Sequence, residues 1–316
     1  MAAPVCLIVN PSAGGGRAAR LAPEMEAALR ARGMQVRRME TRDLDHARAL
    51  ALEAARSGEI AAALSGDGLV RVLADALRDV PGATLAVLPG GRGNDLARVL
   101  EIPDETAGSV AVVAGGRPRP LDLGLVQELG AEGRGEAFVG IASAGFDSDA
   151  NRIANEAPSW LGGLVYAYGA LRALLSWRPA RFELELEGGE RHTAVGYSIA
   201  IANSRAYGGG MFVAPDAMLD DGLLDVVVSE RTGKLRFLAN LPRVFKGTHV
   251  ELPQVRVFRA AAVTVSADRP FVMYADGDPI GTLPVRVSAL PGAVTVMTPE
   301  RGSPALGPLP AAAAPS

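Results

Sequence analysis

Between Val5 and about residue 120, short apolar runs alternate with Ala/Arg/Leu-rich stretches, and the apolar runs end in loops of glycine and small polar residues. "VCLIVN" reads as a buried strand. "GRAARLAPEMEAALRARG" reads as a helix stopped at Gly33, since glycine takes up the left-handed C-cap conformation without steric cost. "MQVRRME" is strand-like, "LDHARALALEAARSG" is helical as far as Gly58, and "EIAAAL" is a strand. "LVRVLADALRD" sets Leu69, Val72, Leu73, Ala76 and Leu77 at helical spacing; "ATLAVLP" is the next strand and "NDLARVLE" the next helix. Strand–helix–strand repetition with short links predicts a doubly wound parallel sheet, because each helical crossover returns the chain parallel to the previous strand.

After Leu121 the rhythm changes. "PLDLGLVQ", "EAFVGIAS", "ARFELELEG", "AVGYSIAIAN", "GLLDVVVSE", "VRVFRA", "AVTVSA", "PFVMYADG" and "PVRVSA" are strand-like, and Gly and Asp-Gly turns break them up. This predicts an antiparallel β-sandwich, interrupted by helices at about 148–177 and 233–246. The fold class is therefore α/β plus all-β. The expected division is an α/β nucleotide-binding domain over 1–120, a β-sandwich domain over 121–299, and a disordered Pro/Ala-rich tail over 300–316.

Charge and composition exclude several functions. The formal net charge of −3 and pI of about 5.8 lack the basic excess that a nucleic-acid backbone requires. Cys6 is the single cysteine, and His46, His192 and His249 are far apart, so neither an internal disulfide nor zinc-ligand spacing is present. The N-terminal apolar run stops at Asn10 with no basic region before it, and no run reaches the roughly 18 apolar residues of a membrane span. A cytoplasmic location is expected.

The loops after the strands carry the chemistry. They are "NPSAGGGR" (Asn10 to Arg17), Thr41, "SGDG" (Ser65 to Gly68) and "PGGRGND" (Pro89 to Asp95). In open α/β sheets ligands bind beyond the carboxyl ends of the strands, where glycine lets backbone N–H groups approach phosphate and a helix N-terminus favours anions. Asn10, Ser12, Thr41 and Asn94 add neutral hydrogen-bonding groups, and Arg17 and Arg92 add charge. One such loop is often only a turn, whereas four on one sheet edge point to a phosphorylated ligand. Neither a Walker loop nor G-x-G-x-x-G is present, and "GIASAG" does not fit G-x-S-x-G.

In order and spacing, "NPSAGGGR", "SGDGLVRVLADAL", "LPGGRGNDLAR", "LDLG", "YGGGMFVAPDAMLDDGLLDVVV" and "DGDPIG" resemble the diacylglycerol-kinase-like lipid kinases. That family includes bacterial diacylglycerol kinases and the sphingosine and ceramide kinases, and the resemblance spans about residues 5 to 299. It implies transfer of the γ-phosphoryl group of ATP to a lipid hydroxyl with Mg²⁺, in a cleft between the two domains. It implies ATP contacts from Asn10, Pro11, Ser12, Ala13, Gly14, Thr41, Ser65, Gly66, Asp67, Gly68, Leu69, Val70 and Arg71, joined here by Arg92 and Asn94. It also implies an acidic, water- and Mg²⁺-linked network of Asp67 that includes Asp122, and a structural Mg²⁺ held by the Asp221 side chain and the Met218 and Leu223 carbonyls. Asp221-Gly222 equally reads as a tight turn. Asp278 matches the position of the general base and Asp67 is its expected catalytic companion; a membrane lipid is the expected partner, with peripheral membrane contact.

The chain departs from the family pattern at four places. Leu69 stands where threonine is frequent, Val72 where glutamate is usual, Arg92 in place of a threonine, and Asp278 in place of a glutamate one methylene longer. Arg92 is expected to grip ATP phosphates, since a guanidinium binds their oxygens bidentately. The stripe Leu161, Leu164, Val165, Tyr168, Leu171 and Leu175 fits core packing or an acyl-chain pocket. A kinase of a non-lipid hydroxyl such as NAD, and a weakly active lipid- or nucleotide-binding protein, stay open as alternatives. So does oligomeric state, with a homodimer among the options.

Overall fold

The computed structural model describes residues 3–146 and 177–308. The helix expected over about 148–177, with its apolar stripe, lies outside the described residues except for Trp177.

The first half is the expected α/β layer. Strands β1 (Val5–Val9), β2 (Val36–Glu40), β3 (Ile60–Ser65) and β4 (Thr84–Pro89) lie parallel in the order β2-β1-β3-β4. Every residue of β1 and β3 is buried, as suits central strands covered on both faces. The helices are α1 (Ala13–Ala31), α2 (Leu44–Arg56), α3 (Asp67–Leu77), α4 (Asp95–Val99) and α5 (Thr106–Gly115). Asp43 caps α2 by accepting from the His46 N–H at 2.7 Å.

The second half is antiparallel. β7 (Ile141–Gly145), β9 (Arg191–Ala202), β8 (Ala180–Leu186) and β12 (Ala262–Ala267) lie side by side, with β13 (Val272–Ala275) and β14 (Asp278–Thr282) beyond β7. β10 (Leu224–Glu230) and β11 (Val255–Ala260) add a further pair against β9. The strict alternation in β8, with Phe182 and Leu184 in and Glu183 and Glu185 out, is a half-buried strand pattern realised in space. A helix at Lys234–Val244 occupies the place predicted for the second helical stretch.

A long ribbon joins the halves. β5 (Arg117–Glu128) runs antiparallel to β15 (Val285–Thr298) over nearly its whole length, with β6 (Glu136–Phe138) at its outer edge. Thr295 and Val296 of β15 then pair parallel with β4. Leu121, Leu123, Val294 and Val296 belong to the core of the α/β layer, while Val126, Val285 and Val287 belong to the sandwich core. The division expected at residue 120 thus falls inside β5, and the chain's end returns to the first core. The tail expected to be disordered from residue 300 is packed as far as Gly307: Ala305 and Leu306 are buried, and the Gly307 N–H donates to Asp220. Two apolar side chains in an otherwise Pro/Gly-rich stretch suffice to dock it.

Candidate active site

The order β2-β1-β3-β4 places a topological switch between β1 and β3, where the chain leaves β1 in opposite directions. The first and third glycine loops flank this crevice. Gly14, Gly15 and Gly16 have φ of 60, 64 and 85°, so regular helix in α1 begins only after a left-handed glycine turn. The Asn10 carboxamide oxygen accepts from the Ser12 N–H and hydroxyl at 3.1 and 2.8 Å, which sets the entry to that turn. The loops are pressed together: a Cβ on Gly91 would stand 2.4 Å from the Gly66 Cα, and one on Gly14 would stand 2.6 Å from the Gly90 carbonyl oxygen. Asn94 sits in the left-handed region at φ 52°, with its carboxamide oxygen accepting from the Gly91 N–H. The Thr41 N–H donates to Val9, tying the second loop to the end of β1. Arg17 bonds Gly91 and Asp104, whereas Arg92 is exposed and makes no side-chain bond with the described residues.

Where the α/β loops meet the sandwich there is a cleft of about 100 Å³. Three carboxylates line it, each placed by backbone. Asp67 opens α3 and accepts from the Leu96 N–H at 3.2 Å, so it bridges two helix N-termini. Asp95 opens α4 and accepts from the Gly209 and Gly210 N–H groups at 2.8–3.1 Å. Asp276, at φ 50° in the turn between β13 and β14, accepts from the Val139, Gly140 and Ile141 N–H groups at 2.8, 3.0 and 3.3 Å. A Cβ on Gly140 would stand 2.4 Å from that carboxylate, so only glycine fits there. Burial, reinforced by the charge of Asp95, pushes Asp67 up to about 7. Burial pushes Asp276 up to about 6, against the pull of the Val139 N–H, Arg71 and the Gly140 and Ile141 N–H groups.

Asp278 reaches the same corner from the sandwich. Its Oδ2 lies 3.2 Å from where a Gly68 Cβ would be and 3.7 Å from an Arg71 guanidinium nitrogen. The fold therefore brings Asp67, Gly68 and Asp278 together. Leu69, Val70 and Arg71, expected among the ATP contacts, are 4, 2 and 3 % exposed, and the Arg71 guanidinium is turned to Glu136 and Asp278.

Asp122 stands elsewhere. Its carboxylate accepts from the Gly222 N–H at 2.6 Å and the Gly292 N–H at 2.7 Å, and burial followed by nearby Asp221 and Asp220 raises its pKa against those bonds. The acidic charges that act on Asp67 are those of Asp95 and Asp276, and Asp122 makes no direct bond to it. The physical reason is that both oxygens of Asp122 are spent on pinning the Asp221-Gly222 turn and the bend in β15. Asn203, fully buried, connects the two places by donating to the Asp122 and Val139 carbonyls. Asp221 accepts from the Leu223 N–H at 3.0 Å and lies 4.0 Å from Arg259, and the Met218 thioether receives an Arg205 N–H at 3.3 Å. Among the described residues no three His, Cys, Asp or Glu side chains stand at metal-ligand spacing.

Asp95, Asp276, Ser204, Tyr207, Gly208 and Gly209 also line the cleft; all but Ser204 fall within the quoted motifs, but none of them was given a role in the site. Asp95 and Asp276 each adjoin a glycine-rich or Asp-Gly turn, and that was their only local signal.

Comparison with known proteins places this arrangement in a family. The diacylglycerol kinase catalytic domain profile matches residues 4–126, and the YegS C-terminal NAD kinase beta sandwich-like domain profile matches residues 140–298. The chain belongs to the diacylglycerol kinase family of lipid kinases, and is a transferase of that class. It is 36% identical over 306 residues to a diacylglycerol kinase of Mycobacterium tuberculosis, covering 94% of this chain and 96% of that one. It is 33% identical over 288 residues to a "Probable lipid kinase YegS-like" protein of Pseudomonas fluorescens, covering 89% and 91%. A crystal structure of a diacylglycerol kinase from Bacillus anthracis superposes with a TM-score of 0.71 at 19% identity, over 93% of this chain and 96% of that one, which speaks for the fold. No helix among the described residues is long and apolar enough to cross a membrane.

Proposed function

We propose that the protein transfers the γ-phosphoryl group of ATP to the free hydroxyl of diacylglycerol, with Mg²⁺, at a membrane surface it touches from outside. The observation that carries this reading is the three-carboxylate cleft opening beside fused glycine loops. A buried carboxylate titrating near 7 next to another acid is an electrostatic vacancy for a cation, and nucleotide phosphates bring one. The relatives named diacylglycerol kinase favour that acceptor.

In this reading the turn Asn10–Gly14, Thr41 and the loop Ser65–Gly68 receive the phosphates through N–H groups and hydroxyls. Arg92, free at the loop rim, closes on their oxygens. The lipid hydroxyl oxygen bonds to the γ-phosphorus while the bond from that phosphorus to the β–γ bridging oxygen breaks and ADP leaves. Asp278, half-exposed beside Gly68, takes the hydroxyl proton. Asp67, with Asp95 and Asp276 behind it, would hold Mg²⁺ through water and phosphate oxygens, which suits an ion that keeps much of its own hydration and a site without a preformed cage. Bound there, Mg²⁺ would offset phosphate charge. The Asp221 carboxylate and the Met218 and Leu223 carbonyls would supply oxygen donors to a second, structural Mg²⁺, which would take the place of the Arg259 guanidinium 4.0 Å from Asp221.

The test is incubation with γ-labelled ATP and a panel of diacylglycerol, phosphatidylglycerol, sphingosine, ceramide and NAD. Label in diacylglycerol, abolished by a chelator, is expected. Label only in NAD would establish a non-lipid kinase; none at all, with ATP still raising the melting temperature, would leave a binding protein.

A further inference from the structure

Resting on that reading, and on Asp278 as proton acceptor, we propose that Arg71 is a positioning residue which fixes the Asp278 carboxylate against Gly68 at the mouth of the third loop. Arg71 follows Gly68 by one helical turn on α3, so both lie on the same face. Its side chain is 4 % exposed, while the two acids it meets are half in solvent, Glu136 at 50 % and Asp278 at 46 %. One guanidinium nitrogen donates to Glu136 at 3.1 Å, another lies 3.7 Å from Asp278 Oδ2, and Nε is buried with no hydrogen-bond partner. A long flexible side chain usually reaches out to an acid held by the fold. Here the cation is the buried part, and the acids are half-exposed side chains that meet it.

Burying an arginine with an unsatisfied Nε is costly, and a salt bridge to half-exposed acids returns little stability. The arrangement is therefore explained better by placement than by stability. The absent side chain of Gly68 lets the carboxylate approach to 3.2 Å of the virtual Cβ, and the guanidinium one turn on keeps it from swinging into water. The carboxylates around Arg71 are Glu136 on β6 and the pair Asp276 and Asp278 flanking Gly277.

Arg71→Met keeps bulk and removes charge; Arg71→Lys keeps charge. Transfer from ATP to dioleoylglycerol in phosphatidylcholine vesicles is measured for the wild type, both variants, Asp278→Asn and the Arg71→Met/Asp278→Asn double variant. The expectation is a loss in kcat of ~10–100-fold for Arg71→Met, with ATP KM changed less than about twofold, partial recovery in Arg71→Lys, and less than about twofold further loss in the Asp278→Asn background. Unchanged kcat, or full additivity in the double variant, overturns the proposal. If Arg71→Met melts well below the wild type, Arg71→Gln takes its place in the cycle. A second readout needs no lipid: a crystal structure of Arg71→Met should show the Asp278 carboxylate turned away from Gly68, where the wild type holds it. No movement would sink the placement of the charge. A wild type that labels no lipid, with Asp278 displaced in Arg71→Met, would sink the kinase reading and leave the placement standing.

Discussion

Asp67 and Asp122 are both inward-facing aspartates next to glycine turns, and for both burial and nearby acids raise the pKa against backbone N–H bonds, yet only Asp67 lines the cleft. Asp122 has an N–H donor for each carboxylate oxygen and staples two turns together. Asp67 also accepts backbone N–H bonds, from Leu96 and Asp95, but it lines the cleft together with Asp95 and Asp276. The comparison separates a carboxylate enclosed between two turns from one that borders open space beside two further acids. Clusters of the second kind mark sites; the first kind marks architecture.

The sharpest way to break that contrast is Asp67→Asn. It should lower phosphate transfer by ~10²–10³-fold, in the range of losing a group that stabilises transition-state charge. At pH 8 it should also raise the melting temperature, by ~2–4 °C for each kcal/mol of relieved repulsion. The sign follows from linkage. Asp67 has a folded pKa raised from 3.8 to about 7, so the folded state binds the extra proton and stability falls as pH rises from about 4 to 7. A melting temperature that drops in Asp67→Asn at pH 8 would place Asp67 with Asp122 as a staple.

Next in size is Gly91→Ala. Its Cβ would stand 2.4 Å from the Gly66 Cα, so the third and fourth loops must part. Transfer should fall by ~10-fold or more, since a misplacement of about 1 Å can cost 10²-fold; retained activity would show that the loops need not touch. Arg92→Ala should raise the ATP KM by about tenfold, the worth of one charge-assisted contact, with kcat changed little. An unchanged KM would make Arg92 a surface residue. Smallest in catalytic effect is Asp122→Asn, which replaces one acceptor oxygen by a donor and leaves a backbone N–H unpaired at a cost of about 1–3 kcal/mol. Its melting temperature should drop while kcat per folded molecule holds; a collapse in kcat with no change in melting would return Asp122 to the reacting centre.

Much of the fold was legible because it rests on local periodicity. The parallel strands, their helices and the alternation of β8 follow from spacing that any short window displays. The helix Thr106–Gly115 was not read, because "TAGSVAVVAG" is nearly uniformly apolar and small and gives no stripe to distinguish helix from strand. The loop residues Asn10, Gly14, Ser65, Gly66 and Asp67 were legible because strand-to-helix turns put them on one sheet edge. Asp95 and Asp276 were not, since each owes its role to N–H groups more than a hundred residues away in sequence.

The sequence by itself determined the class of each half, the edge on which the glycine loops gather and the presence of Asp278 near an Asp-Gly turn. These are consequences of side-chain period and backbone freedom, which act over a few residues. Tertiary structure alone decided that β15 returns to β4, that Ala305 and Leu306 close the first core, and that Asp67 shares its cleft with Asp95 and Asp276 while Asp122 is spent on a turn. Those outcomes depend on which distant N–H groups and charges a carboxylate meets, and only the packed chain fixes such meetings.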